Sequence, residues 1–274
     1  MKIIAFMNLK GGVAKTVSVI NTAAILAQTH GKRVLVVDAD SQGNTTEFFG
    51  ADPARPGMAE LLRWQSAEAQ DVSRGVDAGQ IRLVAASDSL MDLDLTKLGQ
   101  GGADLRCLVR ELGAGKDKPD AFDYVLIDCP PAFNAAAAAA LVAADTVVIP
   151  IKLDAFSLRG MGNLMRQITN MRKINPALRV GGLLPTMWYG SEQIRSAEEI
   201  LRRSGLPVYP HIRRSNAVDV MTFRQQPLIL SSPRSGACRD YKAFVAELLS
   251  EAKDLKDPSA APQDDTKKGG AENA

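Results

Sequence analysis

Two lysines, Lys10 and Lys15, flank the short turn Gly11-Gly12-Val13-Ala14, and Thr16 follows the second lysine directly. The apolar run 3–7 precedes this turn, and Val19, Ile20, Ala23, Ala24, Ile25 and Leu26 recur at helical spacing after it. A strand, a glycine turn and a helix in that order aim the turn's backbone N–H groups at one point, where the helix macrodipole favours an anion. Gly11 and Gly12 present no Cβ to an approaching phosphate. Lys15 is placed to lie along the β- and γ-phosphates of a nucleoside triphosphate, and the Thr16 hydroxyl to bind Mg²⁺. With Lys10, Val13, Ala14 and Val17 these residues make the expected cradle for ATP. Three carboxylates complete the chemistry. Asp38 and Asp40 follow the apolar run 34–37, and Asp128 ends the run 123–128. Two acids in one loop repel unless a cation neutralises them, and an acid at a strand end holds Mg²⁺, usually through water.

Such groups need strand ends to carry them. Short, β-prone apolar runs at 3–7, 34–37, 81–86, 123–128, 146–151, 180–187 and 208–212 read as strands, most of them buried on both faces. Helices are expected at 17–29, 58–64, 103–112, 135–140, 161–174, 193–203 and 237–249, with a polar turn at 113–120. The alternation predicts an α/β fold: a mostly parallel twisted sheet with helices on both faces. Functional groups in such sheets gather at the carboxyl ends of strands. Leu90, Leu93, Leu95 and Leu98 are expected in the core, and Trp64 in the core or on a partner surface. One domain is expected over 1–250, followed by a disordered polar tail, 251–274, poor in apolar residues.

Composition narrows the setting. No apolar stretch reaches membrane-span length, and no basic region followed by an apolar signal core opens the chain. The three cysteines, Cys107, Cys129 and Cys238, supply neither a disulfide framework nor a metal-ligand spacing, as expected of a reducing cytoplasm. Residues 151–250 hold 15 Lys and Arg against 7 Asp and Glu, whereas the rest of the chain holds 18 against 24. A basic C-terminal half on a nearly neutral chain points to a polyanionic partner.

The turn is not an ordinary P-loop: the pattern G-x-x-x-x-G-K-[ST] requires glycine at positions 9 and 14, where this chain has Leu9 and Ala14. Its two lysines resemble instead the deviant Walker A motif, K-G-G-x-[GA]-K-[ST], of the ParA/MinD superfamily of dimeric ATPases. Residues 38–44 match that family's D-x-D-x-Q-G-N switch, and residues 128–131 its D-x-P-P segment. The resemblance implies that Lys10 reaches across a homodimer to the partner's nucleotide. It implies that Asp40 positions or activates the attacking water, and that Asp38 joins Thr16 and Asp128 in the Mg²⁺ shell. It assigns Met187, Pro210, Ile212 and Arg213 to the neighbourhood of the base. Asp154 stands where the family usually has glutamate, Arg213 where it has the proline of Ile-Pro-Arg, Ala217 near a common arginine, and Ser232 for an aspartate. The basic excess then reads as a surface for non-specific DNA, with Arg195, Arg202, Arg203 and Arg214 as candidate contacts. A ParB-like centromere-binding partner, a cytoplasmic, nucleoid-associated location and no membrane contact complete the expectation. Other readings are a MinD-like membrane regulator, which needs an amphipathic C-terminal helix, an iron–sulfur carrier, which needs paired cysteines, and a cargo-positioning nucleotide switch that does not act on DNA.

Overall fold

The structure is a computed structural model that describes residues 1–64, 67–72, 81–93 and 122–254. Its strands are β1 (Lys2–Phe6), β2 (Val34–Asp38), β3 (Gln70–Asp71), β4 (Ile81–Val84), β5 (Tyr124–Asp128), β6 (Thr146–Lys152) and β7 (Arg179–Thr186). Among the described residues they form one sheet in the order β3-β4-β2-β5-β1-β6-β7, parallel throughout except for the antiparallel β3–β4 edge. The register aligns Phe6 with Asp128 and Asp128 with Asp38, so β1, β5 and β2 end level with one another. β1 lies between β5 and β6, and the crevice above its carboxyl end is where an open α/β sheet binds ligands.

The period-2 alternation of side chains builds two cores, one on each face of the sheet. Ile3, Ala5, Leu35, Val37, Val125 and Ile127 face one of them. There they meet α3 (Met58–Trp64), α4 (Ala135–Ala143), α5 (Ala155–Met171) and α6 (Glu192–Arg202). Ile4, Phe6, Val34, Val36 and Leu126 face the other. Their partners are α1 (Lys15–His30), α2 (Asn44–Phe49), α7 (Asn216–Arg224), α8 (Leu228–Ser231) and α9 (Gly236–Asp254). The six alanines of α4 are all buried, so this helix packs by close approach rather than by bulk. This is the α/β architecture expected from the strand and helix pattern.

Several elements differ from expectation for local physical reasons. α1 begins at Lys15, so the turn passes directly into the helix. α5 begins at Ala155 rather than residue 161, despite Gly160 and Gly162. Each glycine costs a helix about 1 kcal/mol, while burying Leu164 and Ile168 gains about 1.5–3 kcal/mol apiece, so packing wins. No strand forms at 208–212. Only the bridges Leu183–Val208 and Trp188–Arg213 pair this segment with β7 and its extension. Pro185 and Pro210 lack the N–H groups a continuous ladder needs. α7 and α8 are additional to the expected helices, although Ser215 is a legible cap whose Oγ accepts from the Ala217 N–H. The edge strand β3 is likewise additional to the expected strands, and α9 runs to Asp254, past the expected end at 249. Leu90 is buried and Leu93 partly buried against the core, as expected. Leu95, Leu98, the 103–112 helix, the 113–120 turn, Cys107, the Trp64 side chain and residues 255–274 lie outside what is described.

Candidate active site

The glycine turn is held from both sides. The Asn8 amide donates to the Pro150 carbonyl of β6 at 2.8 Å, and its Oδ1 accepts from the Lys10 N–H at 3.0 Å. From β7, the Thr186 hydroxyl donates to the Val13 carbonyl at 3.1 Å. Gly12 takes φ +69°, and Ala14, at φ 62° and ψ 34°, is left-handed immediately before α1. An ordinary P-loop places glycine at that second position. Here the surrounding contacts hold an alanine in a conformation that costs about 1–2 kcal/mol for an L-residue with a Cβ.

Gly11, Gly12, Val13, Ala14, Lys15, Thr16 and Val17 line a cavity of about 740 Å³, a volume suited to a nucleotide. Lys15 is only 7 % exposed, and its Nζ donates to the Lys10 carbonyl at 3.3 Å. Burial pushes its pKa below the ordinary lysine value, while Asp128 pulls the other way. A phosphate in the cradle would supply the counter-charge that this desolvated ammonium lacks.

The register of β5 against β1 and β2 brings Asp128 beside Thr16. Thr16 Oγ1 and Thr45 Oγ1 both donate to Asp128 Oδ2 at 2.7 Å. Asp128 Oδ1 is buried with no protein donor. A hydroxyl at the head of α1 beside a carboxylate with one unsatisfied oxygen is a donor set that suits Mg²⁺, which prefers a few protein oxygens and keeps the rest of its shell for water and phosphate. Thr16 and Asp128 therefore fit the ion.

Asp38 has another occupation. Its Oδ1 accepts from the Asp40 N–H at 3.2 Å, and its Oδ2 accepts from both the N–H and hydroxyl of Thr46, at 2.8 and 2.7 Å. Thr46 Oγ1 in turn accepts from Ala86 N–H, two residues past the end of β4. Asp38, fully buried, thus shapes the loop that carries Asp40. Asp40 lines the cavity, and its Oδ1 accepts from the Gln42 N–H at 3.1 Å.

Burial, and for Asp38 the neighbouring Asp128 charge, push both carboxyls up, Asp38 to about 7 and Asp128 to about 6. The folded apo protein therefore holds protons that the unfolded chain releases near the ordinary carboxylate range. That stabilisation is fully present below the unfolded pKa and is lost as pH rises through about 6–7. In the presence of a chelator, the melting temperature of the apo protein should fall by several degrees between pH 5 and pH 8. Asp128→Asn should flatten the fall; an equally steep fall in that variant, followed by thermal melts, would separate the pH effect from this pair.

Met187, Tyr189, Ile212, Arg213 and Arg214 form a further part of the cavity wall. Pro210 does not join them: it lines a shallower cavity behind this wall, with Glu198, His211 and Asp240. Pro210, expected near the base, is thus not among the residues that line the larger cavity. The Arg213 guanidinium is held by Asp240, with Nε and Nη2 at 2.7 and 2.9 Å from its two oxygens. Gly236 lets it pass, since a Cβ there would come within 2.9 Å of three atoms of the Arg213 side chain.

Lys10 does not line the cavity wall; its Nζ lies 2.8 Å from both oxygens of Asp154 in the same chain. The candidate DNA contacts divide. Arg214 lines the large cavity, whereas Arg195, Arg202 and Arg203 belong to the α6 region. There Arg195 donates to the Gly190 carbonyl, Arg202 pairs with Glu198, and Arg203 pairs with Glu199.

The geometry adds residues that motif reading overlooked: Thr45 on Asp128, Thr46 on Asp38, and Lys152, Tyr189 and Asp219 along the cavity, where Asn44, the last residue of the D-x-D-x-Q-G-N match, also lies. Thr45 and Thr46 directly follow that segment and were within reach of it. Tyr189 and Asp219 carry no local signal. Cys129 is buried, and burial pushes its thiol far above the ordinary range, consistent with a packing role.

Comparison with known proteins places this geometry. A family model described as an AAA domain matches residues 1–180. The chain is 31% identical over 252 residues to the sporulation initiation inhibitor protein Soj of Bacillus subtilis, covering 90% of this chain and 98% of Soj. It is 30% identical over 270 residues to the chromosome partitioning protein ParA of Caulobacter vibrioides (strain NA1000 / CB15N), covering 95% and 98%. Among solved structures, cobyrinic acid a,c-diamide synthase from Mycobacterium smegmatis with bound ADP and magnesium is similar at a TM-score of 0.74 and 29% identity, covering 92% of this chain and 96% of that one.

Proposed function

We propose that this chain, which belongs to the ParA/Soj family of P-loop ATPases, is a DNA-partitioning ATPase that binds ATP between two copies of itself. The observation that carries the reading is the cradle itself. A desolvated Lys15 sits beneath a left-handed turn, with Thr16 and Asp128 paired at one end and a second lysine, Lys10, at the rim. Backbone N–H groups of residues 11–16 hold the phosphates, and Lys15 neutralises the charge between β and γ. Mg²⁺, held by Thr16 and Asp128, supplies electrostatic neutralisation of the phosphate oxygens when bound. Asp40 orients a water for in-line attack on the γ-phosphorus; the bond to the β-γ bridging oxygen breaks, leaving ADP and phosphate. The relatives named for chromosome partitioning support DNA as the track, with the basic C-terminal half supplying contacts without base preference. Binding of that kind weakens steeply with salt because neutralised phosphates release counterions. A ParB-like partner that accelerates hydrolysis would release the dimer.

In this reading Lys10 leaves Asp154 and crosses to the partner's phosphates. The Lys10–Asp154 pair is partly buried but still solvent-screened, and such a pair contributes on the order of 1 kcal/mol, so a phosphate contact can replace it. Lys10→Ala should keep nucleotide affinity within about tenfold yet remain monomeric with ATP, since the losses fall on a contact made only in the dimer. Sedimentation velocity with a non-hydrolysable ATP analogue checks this. A Lys10→Ala protein that dimerises like the parent would remove the cross-subunit role.

A further inference from the structure

The wall beside the base is held from behind by a carboxylate that does not touch the cavity. Residues 187 and 189 line the cavity, while Trp188, between them, turns its indole to the far side. On the facing segment, Ile212 and Arg213 line the cavity and His211 opens on the shallower one behind. The two rings stack with centroids 4.0 Å apart and planes within 3°. Glu198 of α6 reaches both: its Oε2 accepts the Trp188 indole N–H at 2.8 Å, and its Oε1 lies 3.3 Å from His211 Nδ1. The same Oε1 accepts from Arg202 at 2.8 Å, and the Glu198 side chain is only 12% exposed. Although burial alone pushes the Glu198 carboxyl up, bonds from Arg202 and His211 outweigh that and hold it below the ordinary range.

This clamp sits where the backbone is least able to hold itself. Pro185 and Pro210 interrupt the ladder, and Met187 is left-handed at φ 52°, a conformation that persists only when its surroundings enforce it. Leu183 N–H to Pro207 O and Tyr209 N–H to Leu183 O tie the two segments before that break, and past it three backbone bonds hold them: Ile212 N–H to Pro185 O, Trp188 N–H to Ile212 O, and Arg214 N–H to Trp188 O.

We propose that Glu198, acting through Trp188 and His211, is a positioning residue that sets the base-side wall and thereby the affinity for the nucleoside part of the ligand. The proposal rests on the nucleotide reading above. It separates the two ends of the ligand: phosphate affinity belongs to the turn at 10–16, and base affinity to a wall fastened from α6.

The test compares two probes on the full chain by calorimetry: Mg·ADP, which engages both ends, and Mg·tripolyphosphate, which engages the turn alone. Glu198→Ala should weaken ADP binding about tenfold, on the scale of losing one charged hydrogen-bond hub, and leave tripolyphosphate unchanged. In turnover the loss should appear in KM with kcat preserved. Trp188→Phe keeps a stacked ring and removes the N–H, and should show the same selectivity with a smaller loss of about threefold. In a Trp64→Phe background Trp188 is the remaining tryptophan, and its emission should respond to ADP and not to tripolyphosphate. Unchanged ADP affinity in both variants, or parallel loss of both probes in a folded variant, would overturn the proposal. A parent protein that binds neither probe would overturn the nucleotide reading first and the proposal with it.

Discussion

Lys15→Ala should bind ATP and ADP at least about 100-fold more weakly than the parent, the scale expected when a desolvated charge that complements phosphate is removed. The reasoning starts from burial. Lys15 is nearly inaccessible, and its charge is penalised in the apo state, with Asp128 only partly compensating. Truncation therefore removes an unfavourable charge from the apo protein and a favourable one from the complex. The two effects have opposite signs, which makes the variant diagnostic. Its apo melting temperature should match or exceed that of the parent, while the rise that saturating nucleotide produces in the parent should vanish. Thermal melts with and without Mg·ADP check both. A variant that keeps its nucleotide-induced rise would show that Lys15 does not face the phosphates; one that simply melts early would show a structural role instead.

Asp40→Ala should lose hydrolysis by a factor on the order of 10²–10³ while retaining ATP, the range expected for removal of one general base or water-orienting group. The Asp40 carboxylate lies at the cavity, yet its backbone is fixed independently: its N–H donates to Asp38, and Asp38 is fastened to Thr46. Removing the side chain leaves that frame in place, because only the bond to the Gln42 N–H is lost. Loss of turnover with intact binding separates a role in chemistry from one in folding. In the dimer reading the variant should accumulate as an ATP-bound pair on DNA, visible as a slowly reversing electrophoretic shift. Phosphate release near the parental rate would assign water positioning elsewhere.

Lys10 links these experiments to the state of the chain. Its ammonium is committed to Asp154 of its own subunit, 144 residues away in sequence. In the proposed dimer Lys10 would exchange this partner for a phosphate of greater charge, and conversion of ATP to ADP would reverse the balance. The aspartate, one methylene shorter than the family's usual glutamate, nevertheless reaches Lys10 with both oxygens at 2.8 Å.

Much of this protein is legible without coordinates because its chemistry is carried by contiguous stretches. Residues 6–16, 38–44 and 123–131 each contain a strand end and the loop that follows it. Apolar runs buried on both faces force those strands together with their carboxyl ends level. The turn at 10–16, the Thr16–Asp128 pair and the cavity-lining Asp40, to which the proposed roles fall, thus follow from local order plus one topological rule. The base-side wall has no such contiguity. It is assembled from residues near 187, 212 and 240, on segments whose prolines break the pairing that periodicity relies on, and so a strand was expected where only bridges form.

Tertiary structure also decided what individual carboxylates do. Asp38 and Asp128 look alike in sequence, each an acid closing an apolar strand. Thr46 and the Asp40 N–H saturate the first, whereas two hydroxyls crowd one oxygen of the second and leave the other open. The strand run specifies where an acid is delivered; the donors that surround it after folding specify whether it holds the loop or remains available to a cation.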